Sequence, residues 1–384
     1  MSFFYNYIKK NNISILYLLL SVWCITLIYD WTLYSRMYPD LAHFVNRVSK
    51  VIRTLFVIYF ICNLDYKKKF FNKLLLAVIF VVFCFISNKY TKNWYIFDIF
   101  FVPLFLSTLI NRDRLVKLLL VTFFVAVSSI LFLHFLDLLP LLTFDRAGKI
   151  RYALGFMHPN TLGFIVVFMC ILYVIKNKVI DVTGYIILFL CALFCIIVPR
   201  SNTSSFLIIL LMLFSTVANY LNKANLNNVQ KSKLFYLCCA FVFTVIIVTY
   251  LIAYFEIGRE FIEKLPGALW ARFDMGKRAL DNYGLSVLGQ PIKIVCDYEV
   301  QVLGQDGYYT VDCAYFYVPI TFGVVCFCLY LAVFIYSIRN TIYNSHYEIL
   351  SVLILMILYG ISEVVIFTPL FMFVFLCSFI RERR

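Results

Sequence analysis

Charged side chains are scarce in this chain of 384 residues. They make up 14% of it, whereas a water-soluble domain carries about a quarter charged residues. Hydrophobic residues reach 63% and aromatic residues 19%. The interior of a globule could not hold so many apolar side chains. The composition therefore excludes a soluble domain and predicts a protein embedded in lipid.

The motifs of several enzyme classes are also missing. The sequence contains no P-loop, no G-x-G-x-x-G, no H-E-x-x-H, no G-x-S-x-G and no D-x-D pair. These absences argue against a nucleotide-driven pump, a zinc protease, a hydrolase with a nucleophile elbow and a metal-dependent user of sugar nucleotides. We therefore expect neither a metal ion nor another cofactor.

Cysteine occurs thirteen times, but without paired C-x-x-C spacing and without a disulfide framework. Most of these residues lie inside apolar segments, where cysteine behaves as a small apolar side chain. Cys296 and Cys313 are the one pair that we would test for a disulfide bridge.

Long apolar runs predict about twelve transmembrane helices. A bilayer core of ~30 Å needs about 20 apolar residues in a helix. Ten runs meet or approach that length, namely residues 13–29, 51–64, 74–87, 94–110, 118–136, 161–175, 185–198, 206–221, 234–255 and 314–337. A further run, residues 349–380, is interrupted at Ser362-Glu363, so we interpret it as a hairpin of two helices. The expected fold class is an all-α polytopic integral membrane protein.

Basic residues in alternate short loops predict the orientation. These residues are Lys9, Lys10, Lys67, Lys68, Lys69, Lys73, Arg112, Arg114, Lys117, Lys176, Lys178, Lys223, Lys231, Lys233, Arg339, Arg381, Arg383 and Arg384. Because Lys and Arg favour the cytoplasmic side, we expect both termini in the cytoplasm. No small-residue cleavage site follows the first helix, which indicates a retained anchor. The net charge of +14 is spread over membrane loops, which argues against nucleic acid and favours membrane lipids as partners.

Three segments leave the membrane on the predicted outer side, and the longest sets the domain organisation. They are residues 140–160, 199–205 and 256–312. We expect spans 1 to 9 in residues 1–255, one large extracytoplasmic loop between spans 9 and 10 in residues 256–312, and spans 10 to 12 in residues 313–384.

Within the large loop, residues 266–283 are predicted to form a helix. A proline near the start is tolerated there, and Gly284 supplies a stop. Apolar side chains fall at helical spacing with basic residues around the rest. That pattern fits a helix lying at the membrane interface, and it fits equally a helix packed on its own domain.

The predicted outer segments are rich in basic residues, although Lys and Arg are usually more frequent on the cytoplasmic side. These are Arg146, Lys149, Arg151, Arg200, Arg259, Arg272, Lys277 and Arg278. A solvated role stays open for any one of them, because long outer loops escape the rule. Arg200 is the most informative, since it stands at a helix end in a short turn without an acidic neighbour. Arginine binds phosphate oxygens through a bidentate fork, so the set predicts a site for a lipid-linked diphosphate.

Four segments, in order along the chain, carry a resemblance to a known family. They are residues 151–163 (RYALGFMHPNTLG), Arg200-Ser201 at the head of a span, residues 272–289 with Ala279-Leu280 and Leu288-Gly289, and residues 312–323 (DCAYFYVPITFG). Together with the topology, they make the chain resemble the bacterial polysaccharide polymerases that join lipid-linked repeat units outside the cell (the Wzy type). It also resembles their relatives, the O-antigen ligases.

The resemblance implies an inverting glycosyl transfer at the outer face of the cytoplasmic membrane, in the synthesis of O antigen, capsule or exopolysaccharide. The donor would be the growing glycan on undecaprenyl diphosphate and the acceptor the next lipid-linked repeat unit. A chain-length regulator is a further candidate partner. Fixed arginines would stabilise the charge that develops on the leaving diphosphate. Arg151, Arg200 and Arg272 are the candidates, with Arg278 in reserve.

The general base is less determined. Asp312 stands where the ligases carry a histidine, and it is either the base or a cap of the tenth span. His158 is the second candidate, although a histidine in such a place is more often an ordinary loop residue. Glu363, at an outer hairpin turn, would orient the acceptor.

Other functions stay open. A ligase would transfer the glycan to a different outer-surface acceptor, and the aspartate at position 312 favours a polymerase over it. A flippase or exporter of the same lipid-linked oligosaccharide would show two related halves and paired Gly or Pro interruptions, which the sequence does not display. If the chain were a structural membrane protein without catalytic activity, the arginines on the predicted outer side would have no function.

Overall fold

The described part of the chain folds into a bundle of apolar helices that carries a short β hairpin. The computed structural model describes residues 2–63, 70–91, 94–139, 142–146, 149–264, 269–295, 300 and 309–380. The α-helices are α1 Ser2–Tyr29, α2 Tyr34–Met37, α3 Pro39–Cys62, α4 Phe70–Thr91, α5 Tyr95–Phe101, α6 Arg112–Phe135, α7 Pro159–Asn177, α8 Val182–Ile197, α9 Asn202–Ala224, α10 Asn228–Phe255, α11 Arg259–Ile262, α12 Leu269–Tyr283, α13 Ala314–Thr321, α14 Val324–Tyr343, α15 Tyr347–Ser362 and α16 Met372–Phe379. The two strands, β1 Thr143–Arg146 and β2 Lys149–Tyr152, pair antiparallel.

The described residues confirm an all-α membrane protein in its main features. Six helices are long and apolar enough to cross a membrane, namely α4, α6, α7, α9, α10 and α14. Four shorter apolar segments accompany them, at Ser14–Tyr29, Tyr95–Leu106, Val182–Ile197 and Tyr347–Ser362. Leu, Ile, Phe and Val side chains face outward along these helices, as lipid requires of a surface that water does not reach.

The run at residues 314–337, predicted as one helix, is divided into α13 and α14. The break lies at Phe322 and Gly323, where Gly323 has φ +91°, a conformation that side chains with a Cβ rarely adopt. The backbone of residues 287–289 passes directly against this glycine, so a methyl group here would collide with the carbonyl of Val287. The close approach of the two chain segments explains why the helix cannot continue.

One further span, and the turn between the last two helices, contain irregular backbone that is partly buried. After α5 the chain winds into a π-helical turn, Val102–Leu106, and a 3-10 turn, Ser107–Leu109. After α15 it forms a 3-10 turn, Val364–Phe367, before α16. The two irregular stretches bring α16 against the π-helical turn in the interior. Side chains satisfy part of the freed backbone, since the Tyr330 hydroxyl donates to the carbonyl of Ile366 at 3.3 Å. Irregular backbone at membrane depth is stable only with such protein neighbours.

The helix ends gather at two opposite ends of the bundle. The hairpin end, as we call it, carries β1–β2, the turn 30–33, the turn 198–201 and Glu363. The far end carries the starts of α6, α10 and α15, where Lys231 bonds to Ser345 and the Tyr17 hydroxyl to the carbonyl of Asn111. Arg112 and Glu348 are buried at the far end, 3.9 Å apart, with His346 beside both.

The hairpin β1–β2 is a feature that the prediction of an all-helical fold did not include. The disulfide prediction is not decided, because Cys296 lies outside the described residues, while Cys313 is buried. The predicted helix at residues 266–283 is confirmed from Leu269 onward, and Pro266 lies outside the described residues.

Candidate functional site

Arg151 is buried at the hairpin end and ties three elements together. It sits in β2 opposite Phe144 of β1. Its Nε donates to the carbonyl of Pro199 at 3.1 Å, and its Nη2 donates to Oδ1 of Asn160 at 2.5 Å. The guanidinium thus joins the hairpin to the turn between α8 and α9 and to the start of α7. A buried charge needs such partners, because burial without them is costly.

His158 begins α7 as its N-cap residue. Its Nδ1 accepts a hydrogen bond from the backbone N–H of Asn160 at 3.1 Å, and its ring lies 5.1 Å from the ring of Phe144. A neutral imidazole has one ring nitrogen with a free lone pair. If Nδ1 uses that lone pair to accept a hydrogen bond, Nε2 carries the proton, and no lone pair remains to take a proton from a substrate. This geometry favours a capping and positioning role for His158 over the role of general base.

Arg200 occupies the turn beside the Arg151 contact and is exposed. Its φ of +46° lies in the left-handed region, which is costly for a residue with a Cβ atom. No side chain among the described residues pairs with its guanidinium. The turn is held in place from within, since the N–H of Ser201 donates to the carbonyl of Cys195 at 2.8 Å.

Arg272 is buried where α12 meets the end of α15. Its Nη2 lies 3.0 Å from Oε1 of Glu363, and Nη1 donates to the carbonyl of Ser362. The helix reaches this position because Gly276 lets it pack closely on α13, where a methyl group would collide with the ring of Phe316. Of the two alternatives for this helix, the structure therefore supports the one in which it packs on its own protein.

Glu363 ends α15 and faces several charges. Only 16% of its side chain is exposed. Burial raises the pKa of Glu363 to about 7; the charge of Arg272 opposes that rise, the charge of Asp312 adds to it, and that of Arg151 opposes it. A carboxyl group poised near neutral pH in a cluster of charges is typical of acid–base sites.

Asp312 lies just before α13 and does not cap it. The N-cap position belongs to Cys313, without a side-chain hydrogen bond. The half-buried carboxylate of Asp312 lies within electrostatic range of Arg272 and Glu363. Asp312 therefore does not make the hydrogen bond that a helix cap requires. Its carboxylate instead interacts with the charges of Arg272 and Glu363.

Arg278 stands apart from these residues. Its side chain is 68% exposed, and it pairs with Asp274 of its own helix at 2.6 Å. Of the seven predicted site residues, four are brought together electrostatically: Arg151, Arg272, Asp312 and Glu363. Arg200 and His158 lie next to the partners of Arg151, and Arg278 points to solvent.

The prediction from sequence missed a second group of charges at the same end. Arg53 of α3 forms a bidentate ion pair with Asp98 of α5, and Asp30 lies within range of both. A signal for this pair was present, since a charged residue inside an apolar run is expected to pair with an opposite charge in another run.

Comparison with known proteins finds no matching family, no matching curated protein and no matching solved structure.

Proposed function

We propose that the protein is a polysaccharide polymerase of the bacterial cytoplasmic membrane, which joins oligosaccharide repeat units carried on undecaprenyl diphosphate. The observation that carries this proposal is the convergence of Arg151, Arg272, Asp312 and Glu363 at one end of the bundle. Four distant parts of the chain supply them. Guanidinium groups next to carboxylates offer both a diphosphate site and an acid–base pair.

The proposal places the hairpin end outside the cell and both termini in the cytoplasm. Its support is the charge of the far end, where Arg112, Lys176, Lys223 and Lys231 begin or end their helices. Lys and Arg concentrate in cytoplasmic loops. With the shorter and interrupted segments counted as spans, the chain would cross the membrane about twelve times, with the large loop between the ninth and tenth crossings.

In the proposed reaction, a hydroxyl of the acceptor repeat unit attacks the anomeric carbon of the donor glycan. The bond from that carbon to the diphosphate oxygen breaks, and its electron pair leaves with undecaprenyl diphosphate. Negative charge grows on the leaving group, so guanidinium groups held in advance lower the barrier. Arg200 is exposed for this contact, and Arg272 is fixed by Glu363.

The proton of the attacking hydroxyl goes to Asp312. Its half-buried carboxylate is not engaged in capping α13. Glu363 holds Arg272 in position, and His158 orients Asn160, which in turn holds Arg151. These three contacts preorganise the site before the substrates arrive.

The test is the length of the surface glycan in the native host after deletion of the gene. The host is complemented with wild type, Arg200→Ala, Asp312→Asn or the matched control Arg278→Ala, and membrane immunoblots check expression. We expect single repeat units on the surface of the deletion strain. Wild type and Arg278→Ala should restore long chains, and the other two variants should not.

The interrupted spans favour a second candidate, an exporter of the lipid-linked oligosaccharide. Transporters often build their sites from broken helices, and α16 packs against the π-helical turn that contains Pro103. In that case the deletion would trap lipid-linked units on the cytoplasmic side. Long glycan that stays on undecaprenyl diphosphate at the outer face would indicate a ligase instead.

A further inference from the structure

A second charged cluster lies at the hairpin end, and the proposed reaction has not used it. The Nε and Nη2 atoms of Arg53 lie 2.7 and 2.6 Å from the two carboxylate oxygens of Asp98. The side chains are 15% and 1% exposed, respectively. A desolvated ion pair adds little to stability compared with apolar packing, so its presence in a lipid-embedded bundle calls for another role.

Asp30 completes this cluster from the end of α1. Its side chain is exposed, and it interacts electrostatically with both Arg53 and Asp98. Two carboxylates thus accompany one guanidinium here. In the site around Arg151 and Arg272, by contrast, two guanidinium groups balance the carboxylates of Asp312 and Glu363, and the exposed Arg200 lies in the turn next to a partner of Arg151. The excess of negative charge disfavours a phosphate and suits a ligand that donates hydrogen bonds.

Several aromatic residues lie close to Asp30 in the sequence, and Tyr29 and Tyr95 are within electrostatic range of its carboxylate. The rings of Tyr34 and Tyr38 lie 5.4 Å apart with an interplanar angle of 32°, and Tyr38 is exposed. Trp31 packs edge-on against Phe164 of α7. Ring faces that are partly open to water offer an apolar platform with polar tips, which matches the faces of a sugar ring.

The loop that carries Asp30 is fastened to the segment that carries Arg151 and His158. The N–H of Leu33 donates to the carbonyl of Gly155 at 3.1 Å, and the N–H of Met157 donates to the carbonyl of Trp31 at 3.1 Å. Thr32 and Phe156 form a β bridge between these two bonds. The two clusters are therefore held in a fixed relation by backbone hydrogen bonds.

We infer that Asp30, supported by the Arg53–Asp98 pair and followed in the chain by the paired rings of Tyr34 and Tyr38, is a saccharide subsite that binds the sugar hydroxyls of the acceptor repeat unit. The inference rests on the proposed function. The Asp30 carboxylate accepts hydrogen bonds from neighbouring hydroxyl groups, and Arg53 orients the cluster while Asp98 holds Arg53. The charge balance selects a neutral sugar or an amino sugar over an acidic one. The subsite positions the acceptor while Arg200 and its partners hold the diphosphate of the donor.

Two probes separate this subsite from the diphosphate site. One is the repeat-unit oligosaccharide released from its lipid by mild acid, which carries sugar without diphosphate. The other is undecaprenyl diphosphate, which carries diphosphate without sugar. Binding of each to the full chain in nanodiscs is measured by saturation-transfer NMR or tryptophan fluorescence. The variants are Asp30→Asn, Arg200→Ala and the matched control Asp40→Asn, which removes a neighbouring exposed carboxylate.

We expect Asp30→Asn to weaken oligosaccharide binding about tenfold, the loss expected for hydrogen bonds to a charged group. Its affinity for undecaprenyl diphosphate should be unchanged, and Arg200→Ala should show the opposite pattern. Asp40→Asn should bind both probes like wild type.

If wild type binds undecaprenyl diphosphate but Asp30→Asn binds the oligosaccharide normally, the subsite is wrong and the proposed function stands. An equal loss in Asp40→Asn, or no oligosaccharide binding by wild type, also overturns the subsite. If wild type does not bind undecaprenyl diphosphate, the proposed function itself fails.

Discussion

The guanidinium of Arg272 lies 3.0 Å from Oε1 of Glu363, a residue 91 positions further along the chain. This buried ion pair fixes α12, which lies in the segment predicted to be the large loop, to the end of α15. It also places Arg272, a candidate residue for binding the diphosphate, beside a carboxyl group whose pKa is raised to about 7. The packing of the loop and the chemistry of the site therefore depend on the same contact.

Loss of one partner of this pair should be more harmful than loss of both. At about pH 8, Arg272→Met leaves the Glu363 carboxylate buried without its cation, at an expected cost of about 3–5 kcal/mol. The double variant Arg272→Met/Glu363→Gln removes both charges and should recover part of that loss. Thermal unfolding in detergent is measured for purified wild type and both variants. Equal stability of the single and double variants would contradict a coupled pair.

The stability that Glu363 confers should fall as the pH rises. Its pKa is about 7 in the folded protein against the ordinary value of 4.5. Between these two values the folded state binds more protons than the unfolded state, so ionisation opposes folding as the pH increases through this window. The stability of wild type relative to Glu363→Gln should therefore decline between about pH 5 and about pH 8, by at most about 3 kcal/mol.

Unfolding midpoints in detergent, taken across this pH range, provide the measurement for both proteins. The subtraction removes the titration of other groups, because the variant keeps them all. A difference that stays constant or grows with pH would show that Glu363 is not held in its neutral form by burial.

Apolar helices were predictable, because lipid imposes a simple length and composition on a membrane-crossing helix, and six described helices meet it. Arg151, Arg272, Asp312 and Glu363 could be named because they lie between or at the ends of apolar runs, and the first three lie in segments that also carry the family resemblance. Their convergence was not predictable, since it depends on which helices pack together. The helical period does explain why Arg278 is excluded. It follows Arg272 by six residues, which turns it by about 120° onto another face of α12.

The irregular features were beyond the reach of apolar patterning. The break at Gly323 arises from the backbone of residues 287–289, which is distant in sequence. The hairpin β1–β2 is too short to show a strand pattern, and the contact of Arg151 with the carbonyl of Pro199 helps to hold it in place. Such tertiary contacts override local preferences.

The left-handed backbone conformation of Arg200 should lower the stability of the fold by a measurable amount, and the side chain held there should be needed for activity. Since its φ is +46°, Arg200→Gly should raise stability by up to about 1 kcal/mol while abolishing activity. Arg278→Gly is the control for loss of an exposed arginine; within a helix it should lower stability by about 1 kcal/mol and leave activity intact. Thermal unfolding and glycan length in the complemented host give the two readouts. Retained polymerisation in Arg200→Gly would remove this residue from the diphosphate site.

Substitution of Asp312 should lower the activity while leaving the stability of the fold unchanged. The helix cap next to it belongs to Cys313, so Asp312→Asn should change the stability by less than about 0.5 kcal/mol, whereas loss of a true cap costs about 1 kcal/mol. Loss of the base should lower the rate of polymerisation by a factor of about 10² to 10⁴. The rate is measured with lipid-linked repeat units extracted from the deletion strain.

Because asparagine also caps helices well, Asp312→Ala is the necessary companion variant. If Asp312 acts as the base, both variants lose activity to a similar extent, and both unfold at the same temperature as wild type. If it acts as a cap, Asp312→Asn keeps both activity and stability, and only Asp312→Ala loses stability. A fall in activity that tracks the fall in stability across the two variants would therefore assign Asp312 to the fold and leave Glu363 as the remaining candidate for the base.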